Sequence, residues 1–158
     1  MAKQMTLKAP FTLEGKGLHT GFNVVLTVKP AAENTGRVVR RVDLESDNEI
    51  AALAENVTAT ERGTVLAKGE VKVSTIEHCM AALYAAGVDN CEIEVNAPEF
   101  PILDGSAKPF IEAINSVGVE EQSAEREYYE VTSKKVFTSE DGKSSITILP
   151  DTEFSVQA

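Results

Sequence analysis

Hydrophobic and polar positions alternate clearly in NVVLTVK, where Val24, Leu26 and Val28 fall on one face and Asn23, Val25, Thr27 and Lys29 on the other. That period predicts a half-buried strand, stopped by Pro30. RVVRRVD, Arg37 to Asp43, is β-prone and carries three arginines, which predicts an edge strand protected by charge. The stretches from Ile50 to Thr58 and from Thr64 to Val73 supply further strands, with a turn near Lys68-Gly69. After Ser74 the spacing becomes helical and runs to Gly87, the expected C-terminal cap. CEIEVN alternates again, with Cys91, Ile93 and Val95 inward and Glu92 and Glu94 outward. A turn-rich APEFPILDGS, with Asp104 or Ser106 as cap, leads to a second helix striped by Phe110, Ile111, Ile114 and Val117 and ended by Gly118. The acidic EEQSAERE follows, and then YYEVTSKKVF, an Asp141-Gly142 turn and SSITIL predict a β-hairpin.

Strands first, then strand–helix–strand–helix, predict an α+β fold: a two-layer sandwich of a mainly antiparallel sheet with two helices on one face. We place this first domain at residues 1–122. Residues 123–158 open a second α+β domain that the sequence does not complete, so the chain reads as truncated.

VSTIEHCM, where the first helix begins, combines two readings. Ser74 and Glu77 have the spacing of a capping box, serine at the N-cap and glutamate at N3. At about 100° per residue, Ile76, Met80, Leu83 and Gly87 share one face, flanked by Cys79 and Tyr84. His78 falls opposite, with Ala81, Ala82 and Ala85, and no charge lies between His78 and Asp89. A surface helix would carry Lys or Glu there. This face predicts a helix covered on both sides, with His78 pointing into the second contact.

Composition narrows the classes. The chain has 158 residues, enough for one domain and part of a second. No apolar run has the length of a membrane span, and MAKQMTLKAP lacks the apolar stretch of a signal peptide. Two cysteines, Cys79 and Cys91, without Cys-x-x-Cys, predict reduced thiols in a cytoplasmic protein. The net charge of −10, with Lys and Arg scattered, argues against nucleic acid as a partner.

If His78 binds a metal, zinc is the natural choice, and an adjacent Glu77 can act as general base on water. A catalytic zinc needs about three protein ligands. The other histidine, His19, and the carboxylates show no ligand spacing with His78, so the chain holds at most part of such a site. GKGLHTG misses the dinucleotide fingerprint and precedes a strand. It predicts a glycine-rich hairpin turn, with His19 either merely exposed or part of a loop that approaches a ligand. Thr60 to Thr64, with Arg62, is a hydroxyl-rich loop able to line a site.

Taken together, GKGLHTG, STIEH through VDN, and NAPEFPILDGSAKPF closely resemble, in order and spacing, the N-terminal domain of the zinc-dependent UDP-3-O-acyl-N-acetylglucosamine deacetylases. The resemblance covers almost the whole chain. It implies the committed step of lipid A synthesis in Gram-negative bacteria: hydrolysis of a UDP-sugar's acetamide to the free amine and acetate. It also implies His78 as a zinc ligand, Glu77 as general base, and Leu18 and His19 at the edge of the substrate and acyl-chain site. Two similar domains pack face to face in that family, and the remaining ligands, a histidine and an aspartate of H-K-x-x-x-D, lie in the second. That pattern is absent from this sequence, so the fragment alone is expected to be inactive and to need the missing C-terminal domain as its partner. Some lineages fuse the enzyme to a hydroxyacyl-carrier-protein dehydratase, a point this sequence leaves open. The rival is a non-catalytic binding or assembly module of the same fold, in which Glu77 only caps a helix.

Overall fold

The computed structural model describes residues 2–157. In chain order its strands are β1 (Lys3–Leu7), β2 (Phe11–Lys16), β3 (Asn23–Pro30), β4 (Arg37–Arg41), β5 (Glu49–Ala51), β6 (Val57–Ala59), β7 (Val65–Lys68) and β8 (Val71–Ser74). Helix α1 (Glu77–Ala85), β9 (Cys91–Val95), α2 (Lys108–Val117), β10 (Val119–Glu125), β11 (Lys135–Thr138) and β12 (Ser145–Ile148) follow. The chain divides into two compact units, 1–126 and 127–158.

The first unit is α+β. Its main sheet has the order β2-β3-β9-β4-β5, antiparallel except where β4 runs parallel to β9. A smaller antiparallel sheet, β6-β7-β8, and the β1–β10 pair complete it. The predicted alternation holds: Val24, Leu26 and Val28 of β3 and Cys91, Ile93 and Val95 of β9 all face inward. They meet Cys79, Ala82 and Leu83 of α1 and Phe110 and Ile114 of α2 in one core that also takes Leu66, Val71 and Val73 from the small sheet. Both thiols are buried. Burial pushes Cys91 up to about 12, and Cys79 higher still.

RVVRR is an interior strand, not an edge, because β5 lies outside it. Its arginines are consumed by local partners. Arg37 donates twice to the Val88 carbonyl, at 3.0 and 2.8 Å. Arg40 bonds Glu49 and sits 3.0 Å from Glu92. Arg41, 7% exposed, grips Asp43 through two bonds of 2.8 and 2.7 Å and donates to the Lys72 carbonyl at 2.7 Å. A guanidinium planted so deep is stable because its donors find oxygen. The acidic stretch after α2 also proves structural, forming β10, which pairs antiparallel with β1.

Helix α1 ends as its glycine predicts. Gly87 adopts φ +72°, its amide donates to the Tyr84 carbonyl at 3.0 Å, and the Val88 amide donates to the Leu83 carbonyl at 2.9 Å. This is the Schellman closure, with Leu83 and Val88 both buried beside it. For α2, Asp104 Oδ1 accepts from the Ser106 amide and hydroxyl, and Ser106 Oγ accepts from the Lys108 amide at 3.1 Å. The second unit holds the expected hairpin: β11 pairs with β12, and Gly142, at φ +69°, donates to the Ser139 carbonyl. Its Val136, Phe137, Ile146 and Ile148 are exposed. No helix is long and apolar enough to cross a membrane among the described residues.

Candidate functional site

The predicted capping box does not form. Ser74 is still strand: its amide and hydroxyl both donate to the Pro98 carbonyl, and its carbonyl accepts from the Phe100 amide at 3.0 Å. The segment 98–100 thereby docks alongside the end of β8 and takes the groups a cap would need. The chain then turns at Thr75, which has φ +60° and is buried. For a β-branched residue that conformation is strained by roughly 1–3 kcal/mol and persists only where its surroundings over-determine it. Helix α1 starts two residues later, at Glu77, with no side-chain cap.

Glu77 is exposed and its carboxylate accepts a short hydrogen bond from the Thr64 amide. Partial desolvation works to raise its pKa, but hydrogen bonds from its own amide and from Thr64, and the neighbouring His78, outweigh that and hold it below the usual range. These hydrogen bonds favour the charged form of the carboxylate. His78 is half-buried. On the wheel, Ala82 turns inward to the core, and Tyr84, 64% exposed, takes its place beside Ala81 and Ala85 on the outer face. The exposed face is thus turned by about one residue from the predicted one and takes in Glu77, one and two turns before Ala81 and Tyr84, so it is not uncharged.

The GKGLHTG segment is the β2–β3 hairpin turn, closed by the Gly17 amide on the Phe22 carbonyl and the Gly21 amide on the Gly17 carbonyl, both 3.0 Å. Leu18 and Phe22 project from it, 59% and 56% exposed. His19 is exposed, and its Nε2 lies 3.1 Å from the Arg62 carbonyl. The 60–64 loop thus bridges the two predicted stretches, touching His19 at one end and Glu77 at the other. A shallow cavity of about 240 Å³ lies there, lined by His19, Arg62, Gly63, Ser74 and Thr75 among others. A larger open groove of about 1080 Å³, lined by Asp43, Asp47, Glu49 and Glu70, lies elsewhere and takes no part in this site.

The residue that organises the region is one the sequence pattern did not single out. Glu99 is fully buried. Its carboxylate accepts from the His19 amide at 2.9 Å, the Thr20 amide and hydroxyl at 2.8 Å, and the Thr75 hydroxyl at 3.0 Å. Burial works to raise its pKa, but these hydrogen bonds outweigh it and hold the carboxyl below the usual range. Because the folded pKa is depressed, the unfolded chain takes up the proton first as pH falls. Glu99's contribution is complete above about pH 4.3, the ordinary glutamate value, and is lost as pH falls through the lower folded value. The wild-type chain should lose melting temperature on acidification through that window more steeply than Glu99→Gln. Parallel melting-temperature profiles of the two would remove Glu99 from the acid response.

The donor chemistry fits zinc in kind: a half-buried imidazole at His78 beside the Glu77 carboxylate. Among the described residues no group of three His, Cys, Asp or Glu side chains is placed to hold a metal ion.

A family model described as "LpxC: UDP-3-O-acyl N-acetylglycosamine deacetylase" matches residues 4–158. The chain is 56% identical over 156 residues to proteins named "Bifunctional enzyme LpxC/FabZ" from Bacteroides thetaiotaomicron and Porphyromonas gingivalis, covering 99% of this chain and 34% of theirs. It is 44% identical to the UDP-3-O-acyl-N-acetylglucosamine deacetylase of Citrifermentans bemidjiense, with 99% of this chain and 50% of that protein covered. The chain spans between a third and a half of the length of these curated relatives.

Proposed function

Because the chain belongs to the UDP-3-O-acyl N-acetylglycosamine deacetylase family, we propose that it forms the N-terminal part of a zinc-dependent enzyme that hydrolyses the acetamide of UDP-3-O-acyl-N-acetylglucosamine. The products are acetate and the free amine on the UDP-sugar, and the step commits the sugar to lipid A synthesis. The family match over residues 4–158 carries this reading.

His78 is one ligand of the zinc, and the other ligands lie in a second α+β domain that the β11–β12 hairpin opens. When bound, zinc supplies Lewis acidity toward the amide carbonyl and a water molecule. Glu77, held in place by the Thr64 amide, would take the proton of the attacking water, which the departing amine would then receive. Leu18 and His19, on the β2–β3 turn, border the substrate and its acyl chain. Leu18's exposure supports a role for it against an apolar chain. The parent is bifunctional, with a dehydratase following the deacetylase, a reading supported by the two relatives at 56% identity.

The test is acetate release from UDP-3-O-acyl-N-acetylglucosamine by the full-length protein. Activity should vanish on chelation and return with zinc. No acetate release from a folded, zinc-loaded protein would return this chain to a binding or assembly module.

A further inference from the structure

Glu99 stands apart from the residues proposed to meet substrate or metal, yet it joins all the segments that carry them. Its two oxygens take hydrogen bonds from the β2–β3 turn, through the His19 and Thr20 amides and the Thr20 hydroxyl, and from Thr75 through its hydroxyl. Thr75 is the left-handed residue from which α1 departs, two positions before Glu77. Gly17, on the same turn, approaches the carboxylate so closely that a Cβ there would fall 3.0 Å from Glu99 Cδ. The backbone of Glu99 is held as well, since it bridges Ser74 of β8. A buried anion that takes its bonds from two separate loops sets their distance from one another, because moving either loop would strip hydrogen bonds from a buried charge.

We propose that Glu99 is a positioning residue of the reaction. Its carboxylate locks the turn bearing Leu18 and His19 to the strained Thr75 turn bearing Glu77 and His78, so that the substrate edge and the base keep one fixed separation. The strain at Thr75 is retained because the Thr75 hydroxyl is anchored on this carboxylate. The groups so positioned carry the proposed deacetylation, and the inference rests on that reading for its kinetic arm. The coupling between the two loops rests on geometry alone.

The test has two arms. In the 158-residue chain, amide hydrogen exchange is compared for wild type and Glu99→Gln. Exchange at His19 and Thr20 should rise by about tenfold or more while β3 and β9 keep their protection. Unchanged protection at His19 and Thr20 overturns the proposal. Loss spread evenly over β3 and β9 also overturns it, since Glu99 would then serve the sheet as a whole. In the full-length protein, Thr75→Val removes the hydroxyl at nearly constant shape. It should lower kcat by about tenfold with KM within about twofold, and Thr75→Ser should recover most of the loss. Equal kcat in Thr75→Val and wild type overturns the proposal, as does failure of Thr75→Ser to recover. If wild-type full-length protein releases no acetate, the functional reading fails and the exchange arm alone decides the coupling.

Discussion

Glu77→Gln in the full-length protein is expected to lower turnover by about 10²–10⁴-fold while zinc content stays at the wild-type level. The substitution keeps the oxygen that accepts the Thr64 amide, so the loop–helix contact survives. It removes only the capacity to take a proton. A structural glutamate at this position would behave differently. Since Ser74 is engaged with Pro98 and no side chain caps α1, Glu77 has no reciprocal capping role to lose. Acetate release and bound zinc, measured on the same preparation, check the prediction. Near-normal turnover at full zinc content would reduce Glu77 to the anchor of the 60–64 loop.

Gly17→Ala should destabilise the first unit by about 2–3 kcal/mol, the cost of overpacking a filled site with part of a hydrogen-bond network displaced. Gly17 is buried and its φ is not in the left-handed region, so an alanine is excluded by space, not by backbone conformation. A Cβ there would overlap Glu99 Oε2 and Thr20 Oγ1. Such a clash is cheap when a flexible side-chain end can swing aside. Glu99 cannot, because its donors come from three residues and it has no exposed surface to move into. Gly21, on the same turn, would place a Cβ in open space, with nothing within 4 Å, but sits at φ +68°. Gly21→Ala should therefore lose only the left-handed penalty of about 1 kcal/mol. Urea unfolding of the two variants separates crowding from backbone conformation, and equal losses would contradict the packing argument.

Much of the fold was legible because it depends on period. The inward faces of β3 and β9, the Gly87 closure of α1, the stripe of α2 and the β11–β12 hairpin all follow from spacing and one turn residue each. What spacing could not supply was the partner. RVVRR looked like an edge because charge is the usual protection of one, whereas its arginines are met by Val88, Glu49, Asp43 and Lys72, none adjacent to the strand's own pattern except Asp43. Ser74 and Glu77 had capping-box spacing, but the Pro98 carbonyl, 24 positions away, competes for the serine hydroxyl. Glu99 offered one local signal, an acidic residue inside the otherwise uncharged stretch from Ala97 to Ile102. Its donors lie 79 and 80 positions upstream on the β2–β3 turn, and no local pattern points to them.

The pairing of β1 with β10 has a consequence for the order in which the first unit is built. Lys3 reaches the Ser123 carbonyl, 120 positions along the chain, and β1 pairs along its length with β10, with a single bridge from Thr6 to Asn90 on its other side. At ribosomal speed the interval between those two segments is on the order of ten seconds. β1 therefore waits for its ladder while β2 and β3 zip together, and Asp89 and Asn90 reach Met5 and Thr6 before β10 does. Its ladder closes last, so β1 is a segment that a nascent-chain chaperone has time to hold.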